Sequence, residues 1–168
     1  VGLVNGDTVT SVTLTSAGAP AGAAVGTYPI VPSTAAGTGL GNYTISYVNG
    51  ALTVTPATLN VTTANKSRPF GAAHPTLDGA LTGAISVDGL SVAYGTSATP
   101  ASAVGTYAIT PTVNDPNGRL ANYVVTSSDG TLTVTPAVIT VTAADKARAY
   151  GAANPTLTVS VTRLESPA

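Results

Sequence analysis

The side chains able to do chemistry are few in this 168-residue chain: six Lys and Arg, seven Asp and Glu, one His, and no Cys. Their spacing singles out one motif. Lys66 and Arg68 stand two apart, and Lys146 and Arg148 repeat the pattern. Residues i and i+2 of an extended segment share a face, so each pair predicts a small basic spot suited to an acidic glycan or surface polymer. The same pairs serve equally as a solvated strand face or as charges that protect a sheet edge. His74 lacks the partners that a triad or a His-based metal site needs. Pro75 follows it, which predicts an exposed turn residue. The carboxylates are Asp7, Asp78, Asp88, Asp115, Asp129, Asp145 and Glu165. No pair of them recurs, whereas glycosidase chemistry holds two at about 5–10 Å. Asn114-Asp115-Pro116-Asn117-Gly118 is the one polar cluster resembling a Ca²⁺ loop. Ca²⁺ takes about six to eight oxygens, and with one carboxylate the cluster reads as a type I turn. These residues predict no enzyme, no metal site and no cofactor.

The elements that must position these residues are made from a sparse alphabet. Only 8% of residues are charged, the net charge is −1, and Met and Trp are absent with Cys. An ordinary globular domain carries about 25% charged residues. Six scattered cations leave no electrostatic footprint for nucleic acid. No apolar run approaches the roughly 18 residues of a membrane helix, so no membrane insertion is expected. Zero Cys removes disulfides, thiol catalysis and Cys-bound zinc.

Internal self-similarity organises the chain. Asn42–Leu77 and Asn122–Leu157 align at an offset of 80 with 20 of 36 positions identical. Val25-Gly26-Thr27-Tyr28 matches Val104-Gly105-Thr106-Tyr107 at an offset of 79. A period of about 80 suits a tandem small domain rather than a short solenoid repeat. Thr53-Val54-Thr55-Pro56-Ala57 and Thr133-Val134-Thr135-Pro136-Ala137 look like seams, because Pro stiffens itself and the residue before it. The expected units are therefore residues 1–56, lacking a first strand, a complete unit at 57–136, and the first strands of a further unit at 137–168. A chain that opens on Val1 and in mid-period predicts a piece of something longer.

Strand signals are dense. Leu52 to Thr55, Leu59 to Thr62, Leu132 to Thr135 and Ile139 to Thr142 alternate apolar and polar residues, the period of a half-buried strand. Asn49-Gly50 and Asp129-Gly130 read as tight hairpin turns that place Gly at positive φ. These features predict an all-β fold of tandem small antiparallel β-sandwich (Ig-like) repeats. The alternative is a β-grasp, whose one helix would fall near 4–9 or 83–89. Tyr28 and Tyr107 form either a tyrosine-corner-like bridge from strand to loop or a ring packed on the sheet face.

A family resemblance rests on several of these motifs in register. Tyr150-Gly151-Ala152-Ala153-Asn154-Pro155-Thr156-Leu157 and Phe70-Gly71-Ala72-Ala73-His74-Pro75-Thr76-Leu77 resemble the opening of the MBG domain, YGX type. So do Gly2-Leu3-Val4-Asn5-Gly6-Asp7, Val25-Gly26-Thr27-Tyr28, Asn42-Tyr43, and Gly50 to Ala57. Phe70 and His74 depart from the pattern, the middle unit lacks the GLVNGD stretch, and the pattern stops after Val161. The resemblance implies a repeat from large bacterial surface or secreted adhesin-like proteins, with no catalytic residues to carry over. It predicts an extracellular, non-enzymatic stalk of roughly 35–45 Å per unit, from strands rising about 3.3 Å per residue. Its partners would be neighbouring repeats, copies of itself, or surface glycans. A glycan- or mucin-binding module would use exposed tyrosines such as Tyr47 and Tyr94 as its platform. A filament subunit would instead add residues 138–161 of one chain, with Ile139, Val141 and Leu157, to the incomplete unit of the next.

Overall fold

The computed structural model describes residues 2–163 and shows twelve β-strands among them, with short 3₁₀ turns between strands. The all-β expectation holds. The β-grasp alternative does not: 83–89 supplies only the single turn Ser86–Asp88, and 4–9 forms a tight turn that runs into a strand. Two compact units result. One contains residues 2–58 with Gly118–Val124; the other contains Leu59–Asn117 with residues 125–163.

In the first unit β1 (Thr8–Thr15), β2 (Gly26–Thr38) and β3 (Gly50–Val54) make an antiparallel sheet in the order β1-β2-β3. In the second, β5 (Lys66–Pro69), β10 (Gly130–Thr135), β8 (Gly105–Asn114) and β7 (Ser91–Thr96) make one sheet in that order. A further sheet holds β6 (Gly79–Thr82), β4 (Ala57–Thr63) and β9 (Tyr123–Ser128). β11 (Ile139–Ala143) and β12 (Val159–Arg163) pair only with each other among the described residues.

The core follows the alternation read in the sequence. Leu59 and Val61 of β4 are 0% and 1% exposed, as are Leu132 and Val134 of β10. Ile109 of β8 is also fully buried, and Leu77, Tyr94 and Tyr107 pack against the cluster of Ala98, Ile109 and Leu132. Asn60, between Leu59 and Val61, faces outward, as a period of two requires.

Two expectations about local geometry are corrected. The pairing is not wholly antiparallel: β5 runs parallel to β10, Lys66 opposite Leu132 and Arg68 opposite Val134. The two residues Ala64-Asn65 carry the chain from the sheet of β4 to the sheet of β10, and the long stretch between β5 and β10 supplies the crossover a parallel pair needs. Asp129-Gly130 is likewise not a hairpin turn. β9 and β10 lie in different sheets, so Asp129 marks a passage between them. Neither Gly50 nor Gly130 has positive φ. Gly130 is required for space instead: a Cβ there would stand 2.7 Å from the Ala64 carbonyl oxygen and 2.8 Å from Thr63 Cγ2. The left-handed pair of a tight turn falls at Asn5 (φ 56°) and Gly6 (φ 77°), closed by a 3.0 Å bond from the Asp7 N–H to the Val4 carbonyl.

Candidate functional site

The doubled Lys-x-Arg motif is the strongest chemical signal in the chain, and its two copies have different surroundings. In β5 the side chain of Arg68 is 3% exposed. Its Nη1 donates to the carbonyls of Pro69 (3.3 Å) and Ala72 (3.2 Å), and its Nη2 donates to Thr99. A guanidinium has five N–H donors in a fixed fork and no acceptor. Here that fork staples β5 to the following turn and to the loop after β7. Lys66 lies on the same side of the strand and makes a 2.7 Å ion pair with Asp78. The Asn65 side-chain oxygen accepts from the Thr131 N–H at 2.8 Å, which sets the register of β5 on β10. In the middle repeat the basic pair is thus committed to the fold.

The second copy carries the same residues without the strand. Residues 144–149 have no regular structure, and Lys146 and Arg148 are exposed. Arg148 keeps the local half of the arrangement, its Nη1 donating to the Ala152 carbonyl at 3.1 Å. The rest of the trailing segment follows suit. Ile139, Val141 and Leu157 are 63%, 59% and 78% exposed, whereas their counterparts Leu59 and Val61 are buried and Leu77 packs on the core.

The other singled-out residues have local roles. Tyr28 and Tyr107 are corner tyrosines: their hydroxyls donate to the carbonyls of Ala24 (2.7 Å) and Ala103 (2.9 Å), each four residues back. His74 is half-buried rather than an exposed turn residue, because its Nε2 donates to the Ala98 carbonyl at 2.9 Å. The Tyr47 hydroxyl accepts from the Ala35 N–H at 2.8 Å, and the Tyr94 hydroxyl donates to Thr62 at 3.4 Å. Asn117 caps the loop at 115–118 by donating to the Asp88 carbonyl. Among the described residues no three of His, Asp or Glu gather as a metal site, and no helix is long and apolar enough to cross a membrane. Glu165 lies outside the described residues.

The notable cavity belongs to the first unit. An open apolar groove of about 360 Å³ runs between β1 and residues 43–48, lined by Val9, Val12, Leu40, Tyr43, Ile45 and Tyr47 among others. Tyr43 ties its floor, accepting from the Val4 N–H and donating to Asp7 Oδ2, both at 3.0 Å. The GLVNGD stretch thus has a structural role, since its turn delivers Asp7 to Tyr43. The Asn-Gly dipeptide is its signal in the sequence.

Seven strands in two sheets between residues 57 and 135, together with the sequence repeat of about 80 residues, define a tandem all-β repeat protein. The MBG domain (YGX type) family matches residues 1–53 and again 59–133, and the chain belongs to that family. No curated protein and no solved structure matches it.

Proposed function

We propose that this chain is a non-enzymatic structural repeat of an extracellular bacterial surface protein, of the adhesin-like kind in which MBG domains occur. The observation that carries this reading is the family match in two copies, on either side of a Pro-containing seam. Supporting it, the polar side chains that could have formed a binding site are committed to holding strands together, as Arg68, Lys66 and the corner tyrosines illustrate. The middle repeat buries a thin apolar core, and hydroxyls rather than charge keep the chain in solution. Its mechanical role is to space whatever the larger protein carries.

Antibodies raised against the chain should label intact cells that make the protein. Labelling only after permeabilisation would contradict the location. A glycan array probed with the 168-residue chain should show no signal above background. Reproducible binding to sulfated or sialylated glycans would favour a binding module that uses Lys146 and Arg148, the exposed copy of the basic pair.

A further inference from the structure

The chain continues on both sides of the middle repeat, so tension along it enters that repeat at Ala57 and leaves it at Thr135. The load reaches β4 and then β5 from the N-terminal side, and β10 from the C-terminal side. β5 and β10 are the first and last strands of their sheet in sequence, yet they are neighbours in it and run parallel. That combination fixes the direction of loading. A pull on the start of one parallel strand and the end of the other slides the two along each other, and all the cross-strand bonds resist together. In an antiparallel pair the same two points would lie at one end, and the bonds would open one after another.

We propose that the β5–β10 pair is a mechanical clamp, the element that lets the repeat bear tension without unfolding. The proposal rests on the stalk reading and deepens it, by naming what resists a pull along the stalk. The pair aligns Lys66 to Pro69 with Leu132 to Thr135, and further bonds extend it at both ends. Before it, the Thr131 N–H donates to the Asn65 side-chain oxygen at 2.8 Å. Beyond it, the Phe70 N–H donates to the Thr135 carbonyl at 2.8 Å, and the Thr135 hydroxyl donates to the Arg68 carbonyl at 3.3 Å. Arg68 braces β5 from its other side: its fork passes load to the turn at Ala72 and to the loop at Thr99. The Lys66–Asp78 ion pair adds a brace toward β6. Leu132 and Val134 are fully buried and Arg68 nearly so, which keeps water from competing for the loaded bonds on that face. Forced unfolding follows the unfolding rate rather than equilibrium stability, so a short pair set across the load path counts for more than its share of the fold.

The chain has no Cys, so introduced cysteines choose the points at which single molecules of the 168-residue chain are held and pulled. Pro56→Cys with Pro136→Cys slides β5 along β10. Val104→Cys with Pro136→Cys puts both points at one end of the antiparallel β8–β10 pair and peels it open. All three positions are exposed. The first pair should give a dominant lengthening of roughly 20–28 nm, from residues 57–135 at up to about 3.6 Å each, at a force well above that at which the second gives way. In the sliding geometry, Asn65→Ala with Thr135→Val deletes two clamp bonds and should shorten the lifetime at constant force by on the order of tenfold. Tyr107→Phe loses a bond off the load path and should leave that lifetime unchanged. Equal forces in the two geometries overturn the proposal. So does a lifetime that the clamp variant leaves unchanged, or one that Tyr107→Phe shortens as much. Should the clamp variant lose its β circular dichroism, the two pulling geometries still decide. Antibody labelling tests where the protein sits and pulling tests how it bears load, so the two readings fail separately.

Discussion

Arg68 and Arg148 occupy one position in two copies of a motif, and only Arg68 is buried. Arg68→Ala removes charge-assisted hydrogen bonds to the carbonyls of Pro69, Ala72 and Thr99 along with a buried side chain, and should cost about 2–3 kcal/mol. Arg148→Ala removes one exposed hydrogen bond and should cost less than about 0.5 kcal/mol. Urea midpoints of the two variants measure the contrast; equal shifts would show that the burial of Arg68 does not matter. Tyr107→Phe keeps the ring and loses the corner bond to Ala103, so it should cost about 1 kcal/mol by the same measurement. The corner was legible as one of two alternatives, because Gly-Thr-Tyr recurred at a loop-to-strand junction. The burial of Arg68 was not. Spacing places a side chain on a face, but only the partner strand determines whether that face is covered.

At the scale of elements, strand existence was readable from alternation and strand partnership was not. Leu52 to Thr55 and Leu132 to Thr135 give the same pattern, and both form strands that pair with the corner-tyrosine strand. The Asp-Gly dipeptide at 129–130 suggested a hairpin because it lies between two alternating runs. A change of sheet produces the same local pattern, and the deciding contact, the approach of Gly130 to Ala64, lies 66 residues away in sequence. The two glycines accordingly predict different outcomes. Gly130→Ala drives a Cβ into the backbone and should cost about 1–3 kcal/mol. At Gly50 the new Cβ would meet only Ile30 at 3.6 Å, ordinary contact, and Gly50→Ala should fall within about 0.5 kcal/mol of wild type. Similar midpoint shifts for both variants would contradict the sheet-changing passage at Asp129.

For the whole molecule, the period of 80 residues has a physical consequence beyond repetition. The strands that open the middle repeat, β4 and β5, lie beside those that close it, β9 and β10, so its core draws on both ends of the period. The fully buried Leu59, Val61, Ile109, Leu132 and Val134 each contribute about 1.5–3 kcal/mol by leaving water. Their five counterparts in the first repeat and the trailing segment, Ile30, Leu52, Val54, Ile139 and Val141, are partly or largely exposed. The complete repeat, residues 57–136, should therefore fold alone and cooperatively as an all-β domain. Its far-UV circular dichroism and thermal midpoint should not change on adding EDTA; a helical spectrum or unfolding by chelator would refute that.

The central claim is that the corresponding segments are ordered where a partner strand lies beside them. Amide hydrogen exchange on the dilute 168-residue chain tests it most directly, since it reads backbone pairing segment by segment. The amides of residues 59–68 should be strongly protected, while those of 44–48 and 145–149 exchange almost as an unfolded chain does. Equal protection of all three segments in the dilute chain, or of none, would contradict the account.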